Sequence, residues 1–234
     1  MSSGAGDRHS RGSRGRKAGK SPDVTDRLPP GWQTERMQRT QVGADSRLNI
    51  EVVSASSELA AAVEEAAILY ANAQNAEAKR SLARAVKKES LAPAAERLWL
   101  MLLDLHRELG EREAFAERAR EYASRFECEP PLFDVDLAPP AVDSLAAPRE
   151  IVGPAKAFLG VVAEAGASRT RVQVDCSSLK RVDFVSAAAL LNLAADLIRS
   201  GGRLELENVN QLVAALFEVM GVSALAKVTP RNRD

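Results

Sequence analysis

From Ser57 onward, Leu59, Ala62, Val63, Ala66, Ala67, Tyr70 and Ala73 recur at the i, i+3, i+4, i+7 spacing of an amphipathic helix. A polar break at Gln74–Asn75 precedes a second helical face of Ala78, Leu82, Ala85 and Val86, and Pro93 ends that unit. A third helix presents Leu98, Trp99, Leu102, Leu105 and Leu109, with Gly110 suited to the left-handed position that closes it. Phe115, Ala119, Tyr122 and Phe126 mark a fourth, before Pro130–Pro131. Upstream, Leu48–Val53 has the β-branched content of a short strand.

The period changes after Pro131. Phe133, Val135 and Leu137 alternate with Asp134 and Asp136 as in a half-buried strand, and Val142–Ala146 reads as a second strand beyond Pro139–Pro140. A helix is predicted from about Pro148 to Glu164, closed by Gly166. Val172 and Val174 alternate into Asp175, and a long apolar helix, Val185–Arg199, stops at Gly201–Gly202. Leu204, Leu206 and Val209 form another strand, Gln211–Met220 a helix ending at Gly221, and Leu225–Val228 a last strand. Strands alternating with helices of this length predict an α/β fold with parallel crossovers.

The four early helices superpose as two helix–turn–helix units. Ala67 and Tyr70 fall over Leu102 and Leu105, and Ala78, Leu82 and Ala85 over Phe115, Ala119 and Tyr122. In its period and its small and aromatic positions this segment resembles a pair of tetratricopeptide repeats. Two repeats are fewer than a solenoid needs to stand alone, so the unit is expected to pack on the domain after it. The expected organisation is a disordered basic tail (1–46), a tetratricopeptide-like helical domain (57–130) and an α/β domain (132–230).

Asp175-Cys176-Ser177 ends a strand, Asp183 follows eight residues after Asp175, and a helix opens there. Gly201-Gly202 turns into a strand, and Phe217, Met220, Gly221 and Val222 form the exit of the next helix. This series resembles the STAS domain, found in bacterial anti-sigma-factor antagonists and in small subunits of lipid-transporting ABC systems. In antagonists the resemblance implies a phosphorylatable serine or threonine directly after the second Asp, at a helix N-terminus that stabilises the phosphate. Here that residue is Phe184, followed by Val185 and then by Ser186 at the family's glycine. A phenyl ring accepts no phosphoryl group, so the switch at this position is expected to be lost.

The resemblance makes the loop-to-helix junction the partner-docking tip, which nominates Asp183, Phe184, Val185, Ser186, Lys180 and Arg181. Asp183 is most simply a helix cap. Phe184 and Val185 either turn into the core or form an apolar anchor for a partner. Ser186 bonds locally in the first turn or serves as a displaced phosphosite. Lys180 and Arg181 are either a solvated pair or selectors of an acidic partner. Cys176 reads as a small buried hydrophobe.

The 32 basic and 32 acidic residues cancel over the chain. The basic excess is confined to residues 1–47, with ten Lys/Arg against five Asp/Glu. Arg14, Arg16, Lys17 and Lys20 can contact RNA or acidic lipid, but a solubilising tail is the simpler reading, and nucleic acid is not expected as a partner. Two cysteines outside any CxxC pair exclude a disulfide framework and a zinc ribbon. No apolar run reaches the ~18 residues of a membrane span, and the start lacks the apolar stretch of a secretory signal, so a cytoplasmic protein is expected. P-loop, GxGxxG, GxSxG and HExxH motifs are missing, and His106 lies off any catalytic constellation. The expectation is a non-catalytic regulatory protein with no cofactor, no metal and a protein partner. Its alternative is an accessory subunit of a lipid-transporting ABC system, with anti-sigma antagonism behind both.

Overall fold

The computed structural model describes residues 56–88, 95–134 and 143–231. The expected basic tail, the strand at Leu48–Val53 and the break at Pro93 lie outside the described residues. The described residues all belong to one compact unit.

Four helices open it: α1 (residues 56–71), α2 (Asn75–Ala85), α3 (Glu96–Glu108) and α4 (Arg112–Phe126). The faces read from the periodicity are the buried ones. Val63, Ala66, Ala67 and Tyr70 of α1 are buried in one cluster with Leu82 of α2, Leu98 and Leu102 of α3, and Tyr122 of α4. Gly110 supplies the left-handed residue after α3, at φ 75. At the α2–α3–α4 corner, Glu111 accepts from Lys79 Nζ at 2.5 Å and lies 2.6 Å from His106 Nδ1.

The rest alternates strand and helix: β1 (Leu145–Ala146), β2 (Glu150–Ile151), α5 (Lys156–Ser168), β3 (Arg171–Asp175), β4 (Arg181–Val182), α6 (Phe184–Arg199), β5 (Arg203–Val209), α7 (Gln211–Val219) and β6 (Ala226–Pro230). One sheet has the order β1-β3-β5-β6, and β2 with β4 forms a second, two-stranded sheet. All pairings are parallel. The central neighbours β3 and β5 register Val172 on Leu204 and Val174 on Leu206, four buried side chains on one apolar face. On the other face Glu205 is buried between Arg171 (2.8 Å) and Arg203 (3.1 Å). The α/β class with a parallel C-terminal sheet is therefore as expected.

Three local expectations are corrected. The helix expected from Pro148 begins at Lys156, because Glu150–Ile151 pairs with Arg181–Val182 as a strand instead. Between them the chain turns through Gly153 at φ 68 and Ala155 at φ 40, left-handed conformations that keep a helix from starting earlier. Gly166 does not close α5, which runs on to Ser168. A Cβ there would sit 2.1 Å from Leu197 Cδ2, so the missing side chain lets α5 lie close against α6. Phe133 and Asp134 form a bend rather than a strand, while Val135–Leu137 lie outside the described residues. Phe133 packs edge-on against Phe115 at 5.1 Å and lies under Arg112 at 4.2 Å.

The helices and the sheet share one core. Its link is α7, in which every residue from Leu212 to Phe217 is at most 2% exposed. One side of α7 packs on β6 and another on α3. Burying each of its large side chains contributes roughly 1.5–3 kcal/mol, which accounts for six consecutive apolar residues, Leu212–Phe217, in a chain with a 27% charged composition.

Candidate partner-docking tip

Strand β3 ends in an Asx turn. Asp175 accepts from Ser177 N at 3.2 Å and from its hydroxyl at 2.6 Å, and also from Asn208 Nδ2 at 2.8 Å. An acceptor followed two residues on by a donor reverses the chain without a glycine, which is the physical reason for Asp-x-Ser here. Cys176 between them is buried. Burial and the neighbouring Asp175 push its thiol up to about 12, so it stays protonated.

The turn leads through β4 to Asp183, the N-cap of α6, whose Oδ1 accepts from Ser186 N at 2.8 Å. Its Oδ2 accepts from Gly153 N at 2.6 Å. Burial alone would raise this carboxyl, but the bonds from Gly153 and Ser186 outweigh it and hold it below its ordinary value. Ser186 is fully buried, and its hydroxyl donates to Gly153 O at 2.9 Å. The structure thus removes Ser186 from any docking surface, because its hydroxyl is already used inside the fold.

Phe184 is half-buried against the core, whereas Val185 is 59% exposed. Of the two outcomes open for this pair, Phe184 takes part of each and Val185 faces solvent. Val152, 39% exposed, lies on the segment that braces the same cap. Its neighbours Ile151 and Gly153 both bond to Asp183, at 3.2 Å through the Asp183 amide and at 2.6 Å through its carboxylate. Sequence reasoning misses Val152 because it falls in a stretch that reads as helix.

Lys180 and Arg181, each still partly exposed, are both paired within the fold. Lys180 Nζ donates to the Glu108 carbonyl at 3.2 Å and pairs with its carboxylate at 3.1 Å. Arg181 reaches the Ala71 carbonyl at 3.4 Å and Glu150 at 3.2 Å. Each cation therefore sits at the C-terminal end of a helix, α3 and α1, where the last carbonyls and the helix dipole favour positive charge. The inward pairing has an electrostatic cause: two helix ends lie within reach of the two cations.

Several residues that hold the tip carry no motif of their own. Tyr70 Oη donates to Lys180 O at 2.7 Å, and buried Asn210 donates to both Leu179 O and Lys180 O at 3.0 Å. Arg231 donates to Ser177 O at 2.9 Å and to Glu108 at 3.4 Å. Asp104 accepts from Gln211 N at 2.7 Å at the start of α7 and also bonds Arg107. The one sequence signal was a carboxylate, Asp104, near the end of an otherwise apolar run, Leu98–Leu105.

With this geometry in place, the comparison with protein families is decisive for one part of the chain. The family model described as "Mlab, STAS domain" matches residues 154–228. The chain carries a STAS domain. The match starts after β1 and β2, so the two-stranded sheet that braces Asp183 is partly outside it. No curated protein and no solved structure matches the chain. Among the described residues, no helix is long and apolar enough to cross a membrane, and no group of His, Cys, Asp or Glu is arranged to hold a metal ion.

Proposed function

We propose that this protein is a non-catalytic interaction protein whose STAS domain binds a protein partner through Val152, Phe184 and Val185, without phosphate control at the helix start. The observation that carries the reading is the contrast within one helical turn. Asp183 and Ser186 are bonded inside the fold, while Val185 between them is 59% exposed. An apolar side chain held out by a capped, rigid helix start loses little entropy on binding, and its burial is worth roughly 1.5–3 kcal/mol. At ~1.4 kcal/mol per decade that is about tenfold to a hundredfold in affinity. Position 184 carries no hydroxyl for a kinase, which speaks against an anti-sigma antagonist switched there. The helices α1–α4, read as a pair of tetratricopeptide-like units, serve in this proposal as a second layer behind the tip.

The test is affinity capture with mass spectrometry, comparing the full chain with Val185→Glu and Phe184→Ser. A partner retained by the native chain and lost by Val185→Glu at unchanged melting temperature supports the reading; equal capture by both removes it. A permease and an ATPase among the lost proteins would instead favour the accessory subunit of a lipid-transporting ABC system. That alternative is supported by the resemblance of Lys180–Asp183 to those subunits.

A further inference from the structure

The turn that carries the tip is held from behind by four separate elements. Tyr70 and Ala71 at the end of α1 hold Lys180 O and the Arg181 guanidinium. Glu108 at the end of α3 holds the Lys180 ammonium through carboxylate and carbonyl together. Asn210 before α7 holds Leu179 O and Lys180 O, and Arg231 after β6 holds Ser177 O. Of these, the α1, α3 and Arg231 contacts come from outside the STAS match, and those of α1 and α3 belong to the helical layer. We propose that Tyr70 and Glu108 are positioning residues: the helical layer clamps the Ser177–Arg181 turn and thereby fixes the angle at which α6 presents Phe184 and Val185.

The chemistry suits a clamp. A tyrosine hydroxyl buried near Glu108 and Asp104 stays protonated, burial being the larger cause, so it remains a donor at any physiological pH. It meets a main-chain carbonyl, so the contact fixes backbone rather than one rotamer. Lys180 adds an ammonium at a helix C-terminus. Three residues separate Lys180 from Phe184, so motion of the turn passes directly into the first turn of α6. Helices α1–α4 then act as the mount of the docking tip, and anything that shifts the ends of α1 and α3 changes how the tip is offered.

This inference builds on the proposed docking tip, but its test needs no partner. Amide hydrogen exchange is measured on the full chain for the native protein, Tyr70→Phe and Glu108→Gln. Reporters are the bonded amides of Lys180 (to Arg149 O, 2.7 Å) and Asp183 (to Ile151 O, 3.2 Å), with β5 amides as the global reference. Losing one hydrogen bond should speed exchange at Lys180, Asp183 and the first turn of α6 roughly threefold to tenfold, leaving β5 unchanged. No change at Lys180 and Asp183, or an equal rise in β5, would overturn the clamp. If the clamp result holds while Val185→Glu still binds every partner, the docking reading fails and the positioning role stands.

Discussion

Helices α6 and α7 start alike and end in opposite environments. Each follows a strand, each has an Asx cap, and each cap accepts from the amide three residues on: Ser186 N to Asp183 at 2.8 Å, Val213 N to Asn210 at 2.9 Å. The second helical residue is Val185 in one and Leu212 in the other. Leu212 is 0% exposed and Val185 59%. The difference comes from what lies over the cap. At α7, Asp104 of α3 takes the Gln211 amide and the α3 face closes over the helix. At α6, the cap is closed by Gly153 of the turn after β2, and the apolar residue beside it is left outside. Local grammar sets where a helix begins; tertiary cover decides whether that beginning belongs to the core or to a surface.

The largest test of this contrast is truncation at the matched positions. Leu212→Ala should cost about 2–5 kcal/mol by urea denaturation, as buried leucines do, while Val185→Ala should stay within about 0.5 kcal/mol. Comparable losses at both sites would erase the distinction.

Cap removal sharpens it further. Asn210→Ala strips the α7 cap and leaves the Leu179 and Lys180 carbonyls without their amide donor, so a loss of about 2–3 kcal/mol is expected. Asp183→Ala removes a cap and the bond to Gly153, and should cost about 1–2 kcal/mol.

Acid titration gives the smallest and most specific effect. The Asp183 carboxyl is held below its ordinary value, so in acid the unfolded chain binds the proton first. The stability it contributes is complete above the ordinary carboxylate range and is lost as pH falls through the lower folded value. Asp104 has the opposite sign. Burial raises its carboxyl despite Arg107 and the Gln211 amide, so its contribution declines as pH rises above the ordinary value. Denaturation midpoints between about pH 2 and 6 should show the deficit of Asp183→Asn growing with pH and that of Asp104→Asn shrinking.

Much of the fold was legible because its signals are local. The faces of α1–α4 follow from spacing, and β3, α6, β5 and α7 from alternation punctuated by Gly201–Gly202 and Gly221. Asp183 could be named as a cap because a cap is defined within one turn. Strand β2 was not legible: two residues cannot display a period, and only pairing with Arg181–Val182 makes them a strand. The inward pairing of Lys180 and Arg181 was not legible for the same reason at longer range. Their partners, the Glu108 and Ala71 carbonyls, stand 72 and 110 residues away in sequence, and no local pattern announces a helix end that far off.

That same reach has a consequence during synthesis. The Asp104 carboxylate and the α3 face around it wait for Gln211 and α7, 107 residues downstream. At the usual ~5–20 residues per second, the ribosome leaves that surface uncovered for roughly five to twenty seconds after α3 emerges. Through that interval the helical layer carries an open apolar face, and Asp104 has Arg107 of its own helix but not the Gln211 amide, a nascent form that favours chaperone capture until α7 arrives to close it.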